Sequence, residues 1–429
     1  MKILIKNCNL ISMDNSRPKL EKNIDILIDE NKIKKIEKDI SEKNIDKIIN
    51  TENQYVLPGF INTHAHIGMS IFRETVDGLK LQDWLSKKIW PIEDNLTEKD
   101  IYYSSLYSCI EMIKTGTTTV NDHYFFPESV ISAISKSGMR GEVTRVLMDI
   151  NNDLDGRVDE LINTIEKHKD ANDNVTINVG VHGLYTASKD CLVKAIEIAK
   201  KYNLNFHIHF CENSGEVEEI KQRYNVNTPS EVIEKYLSDL NVILAHCVKL
   251  SNQDFDILKN LKNINVSHCP ISNLKLGCGI ANLPKMLENS INISLGTDGQ
   301  GSGCNLDMFD TIKFTGLLQK GFNEDPTLIP AYEVLKMATI NGAKALNKEN
   351  LIGSITEGKL ADLIILDTNE VTMQPINDIF ADIVYNAKGH NVVTTIVNGN
   401  ILMENRNLNN LDENEILEGV ALGTFLMRH

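Results

Sequence analysis

Eight short apolar runs, separated by segments of helical periodicity, constrain this chain more tightly than anything else in it. The runs are VLPGFINTHAH, TTTVNDH, GEVTRVLMD, TINVGVHGL, NFHIHFCE, VILAHCV, INVSHCP and INISLGTDG. The segments between them, such as residues 189–202 and 230–240, space their apolar residues three and four apart, as a helix with one buried face does. Strands that alternate with helices are joined by crossovers, which makes the sheet parallel, and eight such units close into a (β/α)8 TIM-like barrel. A doubly wound open sheet is the competing arrangement. It would carry a glycine-rich phosphate turn after an early strand, and the sequence has none.

The flanks follow another rhythm. KILIKNCNLISM and NIDILIDENKIKKIEKDI alternate apolar and polar residues, with a turn at Asp29, Glu30 and Asn31, the pattern of half-buried strands. After Gly353 the alternation returns in LADLIILDT, IVYNAKG and VVTTIVNGNILMEN. The expected architecture is therefore α/β: a barrel over 56–354, and a small β-sandwich domain built from both chain ends, 1–55 and 355–429. From Asn407 onward the sequence reads as a polar turn and a short helix.

Bulk properties narrow the function. The formal net charge of −15 over 429 residues argues against a nucleic-acid surface, which needs a basic face. No apolar stretch is long enough to cross a membrane, and MKILIKNCNLISMD, broken by Lys6, Asn7 and Asn9, lacks the core of a signal peptide. The eight cysteines include no C-x-x-C pair and read as reduced thiols of a cytoplasmic protein. A small-molecule substrate is the expected partner, and a homo-oligomer is compatible with the sequence.

The chemistry lies at the strand ends, where this fold places it. His64 and His66 form H-x-H at the end of the first barrel strand. Residues two apart on a strand point the same way, so both rings can face one ion. Alone, the pair reads equally well as two hydrogen-bonded histidines near a turn. The fifth strand ends His207-Ile-His209-Phe-Cys-Glu212, the sixth carries His246, and the eighth ends Gly296-Thr-Asp298-Gly. Imidazole and carboxylate at four strand ends suit Zn2+ or a similar divalent ion. By spacing alone, His207 and His209 compete for the fifth-strand position. The fourth strand has no Lys, so a second ion bridged by a carboxylated lysine has no support.

PGFINTHAH, HFCE, LAHC and LGTDG resemble the amidohydrolase superfamily, in its deaminase and chlorohydrolase branch. The stretches around Asp83-Trp84-Leu85, Trp90-Pro91-Ile92-Glu93, Thr144-Arg145, Val248 and Ser272-Asn273-Leu274-Lys275-Leu276-Gly277 are similar to the 5-methylthioadenosine/S-adenosylhomocysteine deaminase family and the related 5′-deoxyadenosine deaminases. The resemblance implies one Zn2+ per subunit, with Fe2+ or another divalent ion as alternatives, held by His64, His66, His209 and Asp298. It selects His209 over His207, because the family pattern places a Glu three residues after the ligand.

The implied reaction is hydrolytic deamination of a 5′-modified adenosine: 5-methylthioadenosine, S-adenosylhomocysteine, 5′-deoxyadenosine or adenosine itself. A bound ion lowers the pKa of water and so supplies the nucleophile for C6. Asp298 takes the water's proton, His246 orients the attack and Glu212 protonates ring N1. Glu93 is expected at the ribose hydroxyls and His182 at the nucleoside. Arg145 and Arg157, the latter in the loop after strand three, are expected at the carboxylate of a homocysteine tail. Trp84 and Ser302 are further pocket candidates. Each has a plainer reading: a surface cation for either Arg, a buried aromatic for Trp84, a solvated carboxylate for Glu212. Deamination or dechlorination of another heterocycle (guanine, a pterin or a triazine) by the same site is the alternative function.

Several positions depart from the family pattern. Val181 stands where Pro is usual, Ser302-Gly303-Cys304 replaces Ser-Asn-Asn, Cys269 replaces Asn, and His123 takes an apolar place. None removes an implied ligand. His268 reads as a structural neighbour of the site, and His168, His390 and His429 have no motif around them.

Overall fold

The computed structural model describes residues 1–74, 77–149, 153–169 and 174–427; His429 lies outside them. Eight parallel strands form the barrel, in sequential order around it. They are β1 (Phe60–Ala65), β2 (Thr117–Tyr124), β3 (Arg140–Leu147), β4 (Val175–Gly183), β5 (Phe206–Phe210), β6 (Val242–His246), β7 (Ile264–His268) and β8 (Asn292–Leu295). The seam between β8 and β1 is closed by Thr63, whose hydroxyl donates to the Leu295 carbonyl at 2.9 Å, and by the Asp298 amide, which donates to the His64 carbonyl at 3.0 Å.

Helices cover the outside of the barrel, so β1, β2 and β3 are buried at every residue and show no polar alternation. The barrel interior is polar and internally satisfied at one level. The Thr63 hydroxyl lies 2.6 Å from that of Ser267 and 2.8 Å from that of Ser294. Local signals set the helix ends. The helix Glu98–Lys114 starts in a capping box made by Thr97 and Asp100, and Lys189–Tyr202 starts at Ser188, whose hydroxyl accepts from the Cys191 amide. Both devices satisfy amides that a first turn leaves open.

The two chain ends combine in one nine-stranded mixed sheet. Strand Lys2–Leu10 is its fork: it pairs antiparallel with Glu21–Asp29 and parallel with both Lys47–Asn50 and Tyr55–Pro58. The run VLPGFINTHAH is thus two strands. Tyr55–Pro58 pairs with Leu363–Leu366 in this sheet, and Phe60 begins the barrel. Gly59 makes the passage between them, at a place where a Cβ would lie 2.1 Å from the Thr118 side chain. The sheet encloses its own apolar core, including Ile3, Ile5, Ile26, Val56, Leu363 and Ile396. A buried ion pair joins it to the barrel: Arg140 Nε lies 2.8 Å from Asp362 Oδ2.

Two further expectations about secondary structure need correction. IVYNAKG is not a strand: residues 383–385 end the helix Ile379–Tyr385, which Asp378 caps through the amides of Phe380 and Ala381. The C-terminal segment is a short strand, Asn407–Leu408, followed by a fifteen-residue helix, Glu413–Met427, anchored where Lys114 Nζ meets Glu413 at 2.6 Å. No helix among the described residues is long and apolar enough to cross a membrane.

Candidate active site

The ends of β1, β5, β6 and β8 bring His64, His66, His209, His246 and Asp298 together. Two sets of ligating atoms, from His64, His66 and His209 and from His64, His246 and Asp298, each lie within 4.8 Å of one another. Their hydrogen bonds fix the tautomers. His66 Nδ1 lies 2.6 Å from the His123 carbonyl and His209 Nδ1 lies 2.7 Å from the His182 carbonyl. A carbonyl only accepts, so each Nδ1 carries the proton and each Nε2 presents a lone pair.

Those two Nε2 atoms face each other at 3.3 Å. Asp298 Oδ1 lies 3.0 Å from His66 Nε2 and 3.4 Å from His64 Nε2, and the latter nitrogen is buried without a hydrogen-bond partner among the described residues. Lone pairs converging in this way repel one another and are satisfied by a cation. The nitrogen and oxygen donor set fits a divalent ion of the zinc type.

Other side chains hold this cluster from behind. Asp298 Oδ2 accepts from Ser272 at 2.5 Å and from Ser302 at 2.8 Å. His246 Nδ1 lies 2.9 Å from Asn273 Oδ1, which leaves Nε2 as the free ring nitrogen. His207 joins neither set of ligating atoms: its Nε2 meets His64 Nδ1 at 2.9 Å and its Nδ1 meets the Asn121 amide at 3.1 Å. His246 and Asp298 both adopt positive φ, 76° and 63°, a strained backbone of the kind that functional sites retain.

Glu212 follows His209 at the mouth of β5 and is buried. Burial raises its pKa; His246 works against that shift and the Asp298 charge adds to it. Its Oε1 accepts from the Cys278 thiol at 3.6 Å and lies 4.0 Å from His246 Nδ1. Glu216, one turn further on, clamps the same loop. Its carboxylate accepts from the amides of Cys211 at 2.9 Å and Glu212 at 2.7 Å, where Cys211 turns the chain at φ 52°. Burial, and then the Glu212 charge, push Glu216 up to about 7.

The amidohydrolase family model matches residues 55–402. The chain belongs to the amidohydrolase family. It is 38% identical over 423 residues to a 5-methylthioadenosine/S-adenosylhomocysteine deaminase of Caldanaerobacter subterraneus subsp. tengcongensis, spanning 96% of this chain and 95% of that protein. It is 41% identical over 403 residues to a 5′-deoxyadenosine deaminase of Methanocaldococcus jannaschii, spanning 92% and 94%. Its fold matches the crystal structure of an adenosine deaminase from Xanthomonas campestris with a TM-score of 0.94, at 24% identity over 99% of this chain and 98% of that one.

In this amidohydrolase the ligand cluster opens into a narrow cavity of about 60 Å³, lined by Trp84, Glu93, His123, His182, Glu212 and Ser302 among others. Glu93 lies in the short helix Trp90–Glu93 and accepts a hydrogen bond from the Tyr124 hydroxyl at 2.5 Å. Burial pushes its carboxyl up to about 7 against the pull of that bond. Trp90, Glu93 and Phe125 also line an outer compartment of about 680 Å³ that contains Arg145 and Arg157. Arg157 is not in a loop: it stands in the first turn of the helix Leu154–His168.

His268 is buried near the site, and neither of its ring nitrogens has a hydrogen-bond partner among the described residues. His168 and His390 instead pair with Glu128 and Glu370. Tyr124, Ser272, Asn273, Glu216 and Cys278 are site residues that motif reasoning did not single out. Ser272 and Asn273 lie inside the quoted S-N-L-K-L-G stretch, which was a visible signal without a visible role. Glu216 had none beyond its place one helical turn after Glu212.

Proposed function

We propose that this protein removes the exocyclic amino group from C6 of a 5′-modified adenosine by hydrolysis, giving the corresponding inosine and ammonia. The observation that carries the reading is the meeting of two unlike ends in one pocket. At one end, imidazole and carboxylate lone pairs converge beside a buried Glu212. At the other, the Glu93–Tyr124 pair faces the same cavity. The deaminases that share 38% and 41% of its residues support the same reading.

His64, His66, His209 and Asp298 would hold the ion, with Zn2+ as the metal. When bound, it lowers the pKa of water toward neutrality and makes a nucleophile available. The remaining work falls to the chain. Asp298, steadied by Ser272 and Ser302, accepts the proton that the water gives up. Glu212, kept prone to protonation by its burial, delivers a proton to ring N1 as C6 is attacked; the proton held by Asp298 then passes to the departing amine, and Glu212 recovers one from the C6 hydroxyl as it becomes a carbonyl. His246, fixed by Asn273, faces the charge that develops at C6. Glu93 takes hydrogen bonds from the ribose hydroxyls, which selects a nucleoside over a free base, and His182 lies along the base.

The test is ammonia release from a panel of adenosine, 5′-deoxyadenosine, 5-methylthioadenosine, S-adenosylhomocysteine, guanine and a triazine, with metal content measured on the same preparation. Turnover of the adenosines is the expected result. Activity on guanine or the triazine with none on any adenosine would overturn the reading.

A further inference from the structure

Glu212 has to be aimed at one ring nitrogen and also to give up and regain a proton there. The two demands conflict, because strong hydrogen bonds to a carboxylate fix its direction but favour its charged form. Among the described residues the one side chain that donates to Glu212 is Cys278, whose thiol lies 3.6 Å from Oε1, and a thiol is a weak donor. His246 Nδ1 stands 4.0 Å from the same oxygen, beyond hydrogen-bond reach. The direction of this carboxyl is therefore set by the backbone that carries it.

Cys211, Glu212 and Asn213 join β5, which ends at Phe210, to the helix Ser214–Tyr224. Cys211 turns at φ 52°, a left-handed conformation that a residue with a Cβ adopts when its surroundings impose it. The carbonyls of the link are held from the segment after β6: Phe210 accepts from the Cys247 amide at 2.9 Å and Cys211 from the Lys249 amide at 2.8 Å. The amides are held by one carboxylate. Glu216 Oε1 accepts from Cys211 at 2.9 Å and Oε2 from Glu212 at 2.7 Å.

Helix capping does not account for that placement. Asn213 caps the helix by accepting from the Glu216 amide at 3.0 Å, and an acid three residues after a cap ordinarily reaches back to the amide of the cap itself. Glu216 passes that amide by and takes the two before it. It does so while buried, a penalty for a carboxylate that a cap alone does not require. Glu216 is not among the residues that line the cavity.

We propose that Glu216 is a positioning residue for the proton transfer: by binding the Cys211 and Glu212 amides it sets the backbone from which Glu212 addresses ring N1, and it leaves the Glu212 carboxyl free to give up and regain its proton. This rests on the deaminase reading above and deepens it.

A double-mutant cycle tests the proposal. kcat and KM for the best adenosine substrate are measured on the zinc-loaded parent, Glu216→Gln, Glu216→Ala, Glu212→Gln and the two double variants, with rates expressed per bound ion. Misplacing a catalytic group by about 1 Å costs on the order of 10²-fold, so Glu216→Ala should lose about that in kcat with little change in KM. Glu216→Gln keeps an oxygen for one of the two amides and should recover part of the loss, to about tenfold below the parent. In the Glu212→Gln background either change should cost less than about twofold further, because the group being aimed is already gone. A purely structural role would lower kcat by the same factor in both backgrounds. The cycle with Glu216→Gln decides alone if the alanine variant does not fold. Equal factors in the two backgrounds, or Glu216 variants with the kcat of the parent, overturn the proposal. A parent that deaminates guanine and no adenosine overturns the adenosine reading, and the same cycle run on guanine then decides the role of Glu216. A parent that releases ammonia from neither overturns the deaminase reading and this proposal with it.

Discussion

At the inner end of the pocket, His64, His209, Glu212, His246 and Asp298 are buried and stand at or just after strand ends, and hydrogen bonds fix how the three rings and the Asp298 carboxylate are turned. At the outer end, Arg157 and Glu160 stand on the helix Leu154–His168, half-buried, beside the exposed Asp153. The first region is an arrangement with one solution; the second can exchange charges without disturbing the barrel. Reacting atoms require groups held in place before the substrate arrives, whereas recognition of a distal substituent needs a surface that can vary.

Chelation of the divalent ion should break this contrast at its strongest point. Activity is expected to fall below detection on every substrate and to return when Zn2+ is added back, with ammonia release and metal analysis run on the same samples. Glu212→Gln comes next. It keeps the ion but should lose about 10²- to 10⁴-fold in kcat, the range of a general acid–base group; a variant as active as its parent would remove Glu212 from the proton path. Arg157→Ala belongs to the outer end and should separate substrates. About a tenfold loss is expected for S-adenosylhomocysteine, since a charge-assisted hydrogen bond goes, with little change for 5-methylthioadenosine. Equal losses on both would deny Arg157 a contact with the carboxylate.

The smallest effect concerns Glu216. Its folded pKa is raised from 4.5 to about 7, so its contribution to stability is fully present below the unfolded value and is lost as pH rises through the folded one. Glu216→Gln lacks that titration. Chemical denaturation at a series of pH values should therefore show the parent losing stability relative to the variant between about 4.5 and 7. A difference that stays constant with pH would mean that the buried carboxylate keeps an ordinary pKa.

The sequence already displayed the barrel and the histidines and aspartate that cluster at its strand ends, because both depend on local rules. Strand–helix alternation defines the fold, and a two-residue spacing at a strand end puts His64 and His66 on one side. Where local rules are ambiguous, the reading slipped. IVYNAKG is a short apolar run that suits a strand or a helix, and Asp378 decides for the helix by capping it. VLPGFINTHAH looked like one strand because Gly59, which lets the chain pass between two sheets, sits inside a continuous apolar run. Residues that act across the barrel left no trace of their role: Ser272 reaches Asp298 from the segment after β7, and Glu160 reaches Arg145 from the next helix.

The seam of the barrel adds a consequence for how the molecule assembles. Thr63 and Leu295 meet although they lie 232 positions apart in the chain, and the proposed ligands straddle the same junction, with His64 on one side and Asp298 on the other. A partial barrel therefore has only a fragment of the coordination set. An ion that binds the finished set and not the open chain stabilises closure by mass action, between the two barrel strands that lie farthest apart in the sequence. The ion should then act as a clasp: stripped protein should refold more slowly and open first between the last strand and the first.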